Sequence, residues 1–304
     1  MANRDSQEAV LAKPFLKWAG GKRLILPALK KSIGKIEGRF IEPFLGGGSV
    51  LFSMDQNVEI LAADLNAELI NTYLTVRDKL DKLEPILASY FDEFFDPEIE
   101  QQVHFEKIKC LDRDPLFSRF SAEERAARFL YLNKVSFNGL YRVNSKGHFN
   151  VPMGKSTSGF QLDFSNLRIV SKFLSQKSPV DRRKRRIHLE NTSFEKLLSK
   201  AQERDTIYLD PPYDFEPSNK SFVSYQKAGF TREDQLSLKN EMVRLAGIGC
   251  KVVQSNADTT YIRKLYSNTK IFKMEEVLVP RFVGAKSSSR VKAKELIIST
   301  LPNN

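Results

Sequence analysis

Cysteine is nearly absent: Cys110 and Cys250 are the only two in 304 residues. That excludes a disulfide framework and fits a reducing, cytoplasmic setting. Histidine is almost as scarce, and His104, His148 and His188 are scattered without metal-ligand spacing, so no catalytic metal is expected. No apolar run approaches the roughly 18 residues that a membrane span needs. The first residues, Met1 to Glu8, lack the basic-then-apolar build of a secretory signal, so a soluble chain with no membrane role is expected. Acidic side chains are outnumbered, 37 against 48 basic ones, which leaves a formal charge of +11. An excess of that size favours a polyanionic partner, nucleic acid before others, although a merely soluble basic protein would share it.

A hydrophobic content of 41% and a charged content of 28% are globular values, and the length suits one large α/β domain or a core domain with a substantial insertion. The second is the reading adopted. Its centre is Asp210-Pro211-Pro212-Tyr213, which follows the apolar run Thr206-Ile207-Tyr208-Leu209 and precedes a polar stretch. This places it at the carboxyl end of a buried strand, the edge where open α/β sheets bind ligands. Two prolines stiffen the turn and donate no backbone hydrogen bond, the aspartate is an acceptor, and the tyrosine offers a flat ring. An aromatic amine held between a carboxylate and a backbone carbonyl would give both N–H groups to acceptors and turn its lone pair outward. That is the chemistry of amino methylation of a base. A plain turn after a core strand is the simpler alternative for four residues taken alone.

Toward the amino terminus, Lys13-Pro14-Phe15-Leu16-Lys17-Trp18-Ala19-Gly20-Gly21-Lys22-Arg23 leads into Leu24, Ile25, Leu26, Leu29 and Ile33 at near-helical spacing. A phosphate-loop reading of Gly-Gly-Lys fails, because the required first glycine would be Phe15 or Leu16 and Arg23 follows the lysine. A strand at Arg39–Phe44 runs into Leu45-Gly46-Gly47-Gly48-Ser49 and then Val50-Leu51-Phe52, which is predicted to open a helix. Strand, glycine loop and helix entrance form a nucleoside-binding crevice, although the nicotinamide pattern is incomplete at Leu51. A second strand, Val58–Ala63, ends at Asp64, about 20 residues on, where an acidic side chain bonds ribose hydroxyls. Asp64 or Asn66 could instead cap the helix carrying Leu69, Ile70, Tyr73 and Leu74.

From about Asp81 to Ser175 the strand–helix alternation lapses, with helices predicted at Lys82–Phe95 and Ala122–Leu132. The stretch from Asn133 to Gly154 interleaves Asn, Arg, Lys, Gly and aromatics around a turn at Ser145-Lys146-Gly147. A two-stranded ribbon there would fit the DNA major groove, though an ordinary surface hairpin would look the same. The basic run Asp181 to Arg186 reads equally as a solvated linker or a phosphate contact. Asp214 to Lys227 reads as a flap beside the site. A helix over Arg232–Gly247, a strand over Cys250–Gln254 ending in Ser255-Asn256, and a helix over Tyr261–Tyr266 follow. Two paired strands then flank a basic loop, Arg281 to Lys294, a second candidate DNA contact by charge alone.

These stretches together resemble the Dam-type DNA adenine methyltransferases, the D12 class or alpha group that modifies adenine N6. The likeness runs from Phe15 to about Ser299. It is carried by Phe15–Lys22, Glu42–Ser49, Asn138-Gly139-Leu140-Tyr141-Arg142, Gly147–Pro152 and Asp210–Tyr213. The resemblance implies a Rossmann-like α/β sheet that uses S-adenosylmethionine, with an inserted, mainly helical target-recognition subdomain carrying a β-hairpin. Its parts would be residues 1–80 for the cofactor, 81–178 for target recognition and 179–304 for catalysis. It implies catalytic roles for Asp210, Pro211 and Tyr213, and a cofactor site of Trp18, Lys22, Phe44, Gly46, Gly48, Asp64 and Asp210. Lys17, Asn138, Leu140, Arg142, Asn144 and Pro152 would meet double-stranded DNA, Arg142 contacting guanine. The family commonly methylates GATC, and no obligatory protein partner is expected. Cytosine-ring methylation would need a cysteine nucleophile by a site loop, which neither cysteine provides. Amino-cytosine methylation shares the adenine geometry, and a catalytically silent DNA-binding protein is the reading from another class.

Overall fold

The structure, a computed structural model, describes residues 12–55, 57–155, 160, 163–215, 230–282 and 290–301, with only the backbone described at 280–282 and 290–293. The elements of the first half are α1 (Leu26–Ile33), β1 (Phe40–Glu42), β2 (Ile60–Asp64), α2 (Ala67–Asp78), α3 (Leu80–Phe95), α4 (Gln101–Lys109), α5 (Ala122–Val135) and α6 (Phe164–Leu174). Then come β3 (Ile187–Asn191), α7 (Phe194–Leu198), β4 (Thr206–Leu209), α8 (Arg232–Gly247), β5 (Lys251–Ala257), α9 (Thr260–Leu265), β6 (Phe272–Phe282) and β7 (Arg290–Thr300). No described helix is long and apolar enough to cross a membrane.

The chain divides into two compact units. One, formed by Lys22–Leu45, Ser53–Leu65 and Ser178–Asn304, holds a seven-stranded sheet in the order β3-β2-β1-β4-β5-β7-β6. Neighbouring pairs from β3 to β5 are parallel, and β7 runs antiparallel to both β5 and β6. The α/β sheet implied by the resemblance is therefore present. Its central strands are buried throughout, as strands covered on both faces must be: β1 and β4 have no exposed residue. Ile41, Leu61, Ile207, Val252 and Ile298 form one core with Leu238, Met242 and Leu245 of α8. That helix begins where Thr231 and Asp234 close a reciprocal capping box, and it occupies the residues expected of it. From β1 the order runs through β2 to β3 on one side and through β4 to β5 on the other. The carboxyl ends of β1 and β4 thus flank the switch point where open sheets bind their ligands.

The other unit, Met1–Gly21, Gly46–Phe52 and Asn66–Lys177, is helical. Its centre is α5, buried on nearly every side from Ala126 to Val135, as a helix surrounded by others must be. The capping box of Ser121 and Glu124 fixes its start.

Three expectations are corrected. No α-helix opens after the glycine loop: Leu51–Ser53 is a single 3-10 turn, because Leu51 and Phe52 are drawn into the core and β2 begins only a few residues later. The ribbon from Asn133 to Gly154 forms no regular strands. Isolated antiparallel bridges, Ser136 to Met153 and Val143 to Phe149, hold it instead. Bonds from Asn144 N to His148 O and from Asn150 N to Arg142 O complete this loop, and Gly147 turns it at a φ of 80°. Lastly, Arg186 is neither linker nor phosphate contact. It is fully buried at the entry to β3 and donates to the carbonyls of Asp55 and Val58. The leader Met1–Glu8, most of the expected flap (216–227) and the centre of the basic loop (283–289) lie outside the described residues.

Candidate active site

Asp210 leaves the end of β4 with its side chain 22% exposed and its Oδ1 doubly held. The Lys22 ammonium lies 2.8 Å from that oxygen, and the Ser255 hydroxyl donates to it at 3.0 Å. Both contacts use Oδ1, and among the described residues no hydrogen bond reaches Oδ2, which can accept. Burial raises the Asp210 carboxyl above its ordinary pKa; Lys22 and Ser255 oppose the rise and Glu295 adds to it. Lys22 also sits over the ring of Tyr213, 4.7 Å from its centre. The Tyr213 hydroxyl donates to Glu295 Oε2 at 3.0 Å, and burial beside Asp210 and Glu295 keeps that phenol protonated, its pKa well above the usual value.

A polar network fixes the turn from behind. Gln235 Nε2 of α8 donates to the Pro212 carbonyl at 2.9 Å, and the Gln235 side-chain oxygen accepts from Asn256 Nδ2 at 3.0 Å. Asp214, buried just after Tyr213, receives Thr259 Oγ1 at 2.7 Å and Arg232 Nε at 3.1 Å. The Pro212 carbonyl is therefore occupied, whereas no hydrogen bond reaches the Pro211 carbonyl among the described residues. An acceptor pair, Asp210 Oδ2 and Pro211 O, is what a planar amine with two N–H groups requires.

Along the same sheet edge, Leu45 N donates to Ala63 O at 2.9 Å, which holds the end of β1 beside the end of β2. Phe44 stacks on Phe194 with ring centres 5.5 Å apart and meets Phe230 edge-on. Asp64 is half-buried at the carboxyl end of β2, where Asn191 Nδ2 pins its carbonyl and that of Leu65. The capping alternative goes to Asn66, whose side chain accepts from Leu69 N at 3.1 Å at the start of α2. The sheet unit thus brings Lys22, Asp210, Pro211 and Tyr213 together and carries Phe44 and Asp64 on the same edge. A carboxylate there matches the hydroxyl pair of a nucleoside ribose.

The remaining residues expected at the cofactor belong to the helical unit. Trp18 packs on the glycine loop so closely that a Cβ on Gly46, whose φ is 47°, would stand 2.7 Å from its indole. A Cβ on Gly48, φ 68°, would stand 2.7 Å from the Tyr73 hydroxyl. That hydroxyl donates to Gly46 O at 3.1 Å. These glycines are required by the protein's own packing. Trp18 stacks in turn on Tyr141 and Phe129.

Two parts of the set expected to meet DNA lie in this unit. Asn133 accepts from Lys17 N and donates to both Lys17 O and Gly139 O, which clamps Lys17 to the turn holding Asn138 and Leu140. Further along the loop, Arg142 is exposed with its Nε on Asn150 Oδ1 at 2.8 Å, and among the described residues its terminal nitrogens make no hydrogen bond. Asn144 Oδ1 accepts from Lys146 N and His148 N and so braces the turn; only its amide NH2 remains to reach outward. Pro152 is exposed, and its carbonyl accepts from Phe137 N.

Sequence reasoning passed over Ser255, Glu295 and Gln235. They lie 45, 82 and 23 positions from their partners in the site. The polar pair Ser255-Asn256 directly after an apolar strand was the one available signal.

Comparisons with known proteins point to one family. The family model for D12 class N6 adenine-specific DNA methyltransferases matches residues 18–279. The chain is 35% identical to the Type II methyltransferase M1.LlaDCHI of Lactococcus lactis subsp. cremoris over 96% of each chain. It is 32% identical to a DNA adenine methylase of Vibrio cholerae over 96% of this chain and 97% of that one. With a DNA adenine methylase of Escherichia coli K12 the identity is 31%, over 94% of both.

Proposed function

The chain belongs to the D12 class of N6 adenine-specific DNA methyltransferases, and on that premise we propose that it methylates the N6 amine of an adenine turned out of duplex DNA, within GATC or a related site. The methyl donor is S-adenosylmethionine, which supplies an electrophilic methyl group on a sulfonium centre. It acts in the cytoplasm with no obligatory protein partner. Residues 1–80 serve the cofactor, 81–178 the target sequence and 179–304 the chemistry.

The observation that carries this reading is the asymmetry at Asp210, with Oδ1 held by Lys22 and Ser255 and Oδ2 left to accept. Inside a stacked duplex the amine is out of reach, so the base must leave the helix at a cost of a few kcal/mol. Stacking on Tyr213 offsets about 1–3 kcal/mol of it. Asp210 Oδ2 and the Pro211 carbonyl then accept one N–H each, which directs the nitrogen lone pair away from the ring. Asp210 need not be a strong base, because the amine sheds its proton only as it becomes cationic. Orientation and a preorganised acceptor supply most of the acceleration. Asp64 accepts the ribose hydroxyls, Phe44 shapes the adjoining floor, and Lys22 holds Asp210. Trp18, Gly46 and Gly48 keep their assignment to the cofactor. Arg142 reads guanine, with Lys17, Asn138, Leu140, Asn144 and Pro152 as further DNA contacts.

The test is to methylate plasmid DNA with the purified chain and map the modified positions. Adenines within one short site, GATC first among those to check, are expected. An unmodified plasmid, or adenines modified without regard to sequence, would refute the reading.

A further inference from the structure

Ser255 and Tyr208 stand behind Asp210 on adjacent strands. The register pairs Tyr208 with Val253 and Leu209 with Gln254, so one step further Asp210 comes beside Ser255. Both Ser255 and Tyr208 are fully buried. Ser255 Oγ is 3.0 Å from Asp210 Oδ1 and 2.8 Å from the Tyr208 hydroxyl. A carboxylate can only accept, and a serine hydroxyl has one proton to give. Ser255 therefore donates to Asp210, and Tyr208 must donate to Ser255. The direction is fixed: Tyr208 to Ser255 to Asp210. Burial, with Asp210 nearby, holds the Tyr208 phenol protonated, so it stays a donor.

The terminal torsion of an aspartate is broad and nearly two-fold, so an unrestrained carboxylate exchanges its two oxygens freely. Lys22 alone does not prevent this, since its four-carbon stem can follow the turning group. Ser255, on a one-carbon stem rooted in β5, cannot. Resting on the reading that Asp210 Oδ2 receives the target amine, we propose that Ser255 is a positioning residue for methyl transfer, with Tyr208 fixing its rotamer. Together they lock the Asp210 carboxylate with one oxygen presented to the base.

The test uses the full chain with S-adenosylmethionine and a duplex bearing its site. Wild type is compared with Ser255→Ala, Ser255→Thr, Tyr208→Phe and the double variant Ser255→Ala/Tyr208→Phe. Loss of a hydrogen bond to a charged group should lower the kcat of Ser255→Ala by about ten- to a hundredfold. Duplex and cofactor affinities, measured by titration, should stay within about twofold, because the bond orients a reacting group and does not bind either ligand. Ser255→Thr should recover most of the rate, and Tyr208→Phe should lose about two- to tenfold. The double variant should be no slower than Ser255→Ala, since the two hydroxyls act in series. Thermal midpoints show which variants fold. If threonine does not fit the buried site, the Tyr208 arm and the double variant decide.

Wild-type kcat in Ser255→Ala, or independent, multiplying effects in the double variant, would overturn the inference while leaving the function intact. A wild type that modifies no adenine would overturn the functional reading and this inference with it.

Discussion

Lys22 Nζ and Asp210 Oδ1 are 2.8 Å apart at the carboxyl edge of the sheet, and Lys22 is almost wholly buried there. Burial favours the protonated acid at Asp210, and the ammonium favours the carboxylate. Only the carboxylate accepts from the amine without ambiguity, so turnover should fall as pH drops through the raised pKa of Asp210. Removing the ammonium removes a lowering influence and raises that pKa further. Lys22→Met is thus expected to move the acidic limb of the kcat profile to higher pH. An unmoved limb would mean that ionisation of Asp210 does not govern the rate.

Replacing the carboxylate itself should be more severe. Asp210→Ala is expected to lower kcat by at least about a hundredfold. Duplex binding, followed by fluorescence anisotropy, should be nearly unchanged, because the proposed DNA contacts are made by other residues. Near-normal turnover would remove Asp210 from the mechanism.

Tyr213 separates stacking from hydrogen bonding. Phenylalanine keeps the ring and loses the hydroxyl with its 3.0 Å bond to Glu295. Tyr213→Phe should then stay within about fivefold of wild-type kcat/KM, while Tyr213→Ala, which gives up the stacking surface, should lose about five- to a hundredfold. Equal losses in the two variants would point to the hydroxyl and away from stacking.

Arg142→Ala should weaken binding to the cognate duplex by about 1–3 kcal/mol and flatten discrimination at one base pair. Competition titrations with single-base variants of the site read both effects. A uniform loss across all sequences would mark Arg142 as a phosphate contact.

Arg186 should behave as a structural residue despite its place in a basic run. Burial pushes its guanidinium pKa down to about 10. Arg186→Ala takes the donor from the carbonyls of Asp55 and Val58 and is expected to cost about 1–3 kcal/mol for each in denaturant unfolding. The salt dependence of DNA binding by the folded variant should not change. A weaker salt dependence would return Arg186 to the DNA interface.

Much of the sheet was legible because its signals are local. Thr206–Leu209 is an apolar run ended by two prolines, and α8 carries its start in Thr231 and Asp234. What escaped depends on contacts distant in sequence. Arg186 looks like its basic neighbours until its guanidinium is seen to donate to the carbonyls of Asp55 and Val58. The glycine loop suggested a helix entrance, yet its glycines serve the close approach of Trp18 and Tyr73. Asn144 looked like a base-reading amide and spends its carbonyl on its own turn. No periodicity announces that Ser255 will hold the oxygen of Asp210.

The most direct measurement is nucleoside mass analysis of unmethylated duplex DNA after incubation with the purified chain and S-adenosylmethionine. We expect N6-methyladenine from the wild type and none above background from Asp210→Ala. N4-methylcytosine in its place, or unmodified nucleosides throughout, would contradict the assignment of Asp210 and Pro211 as the clasp for an adenine amine.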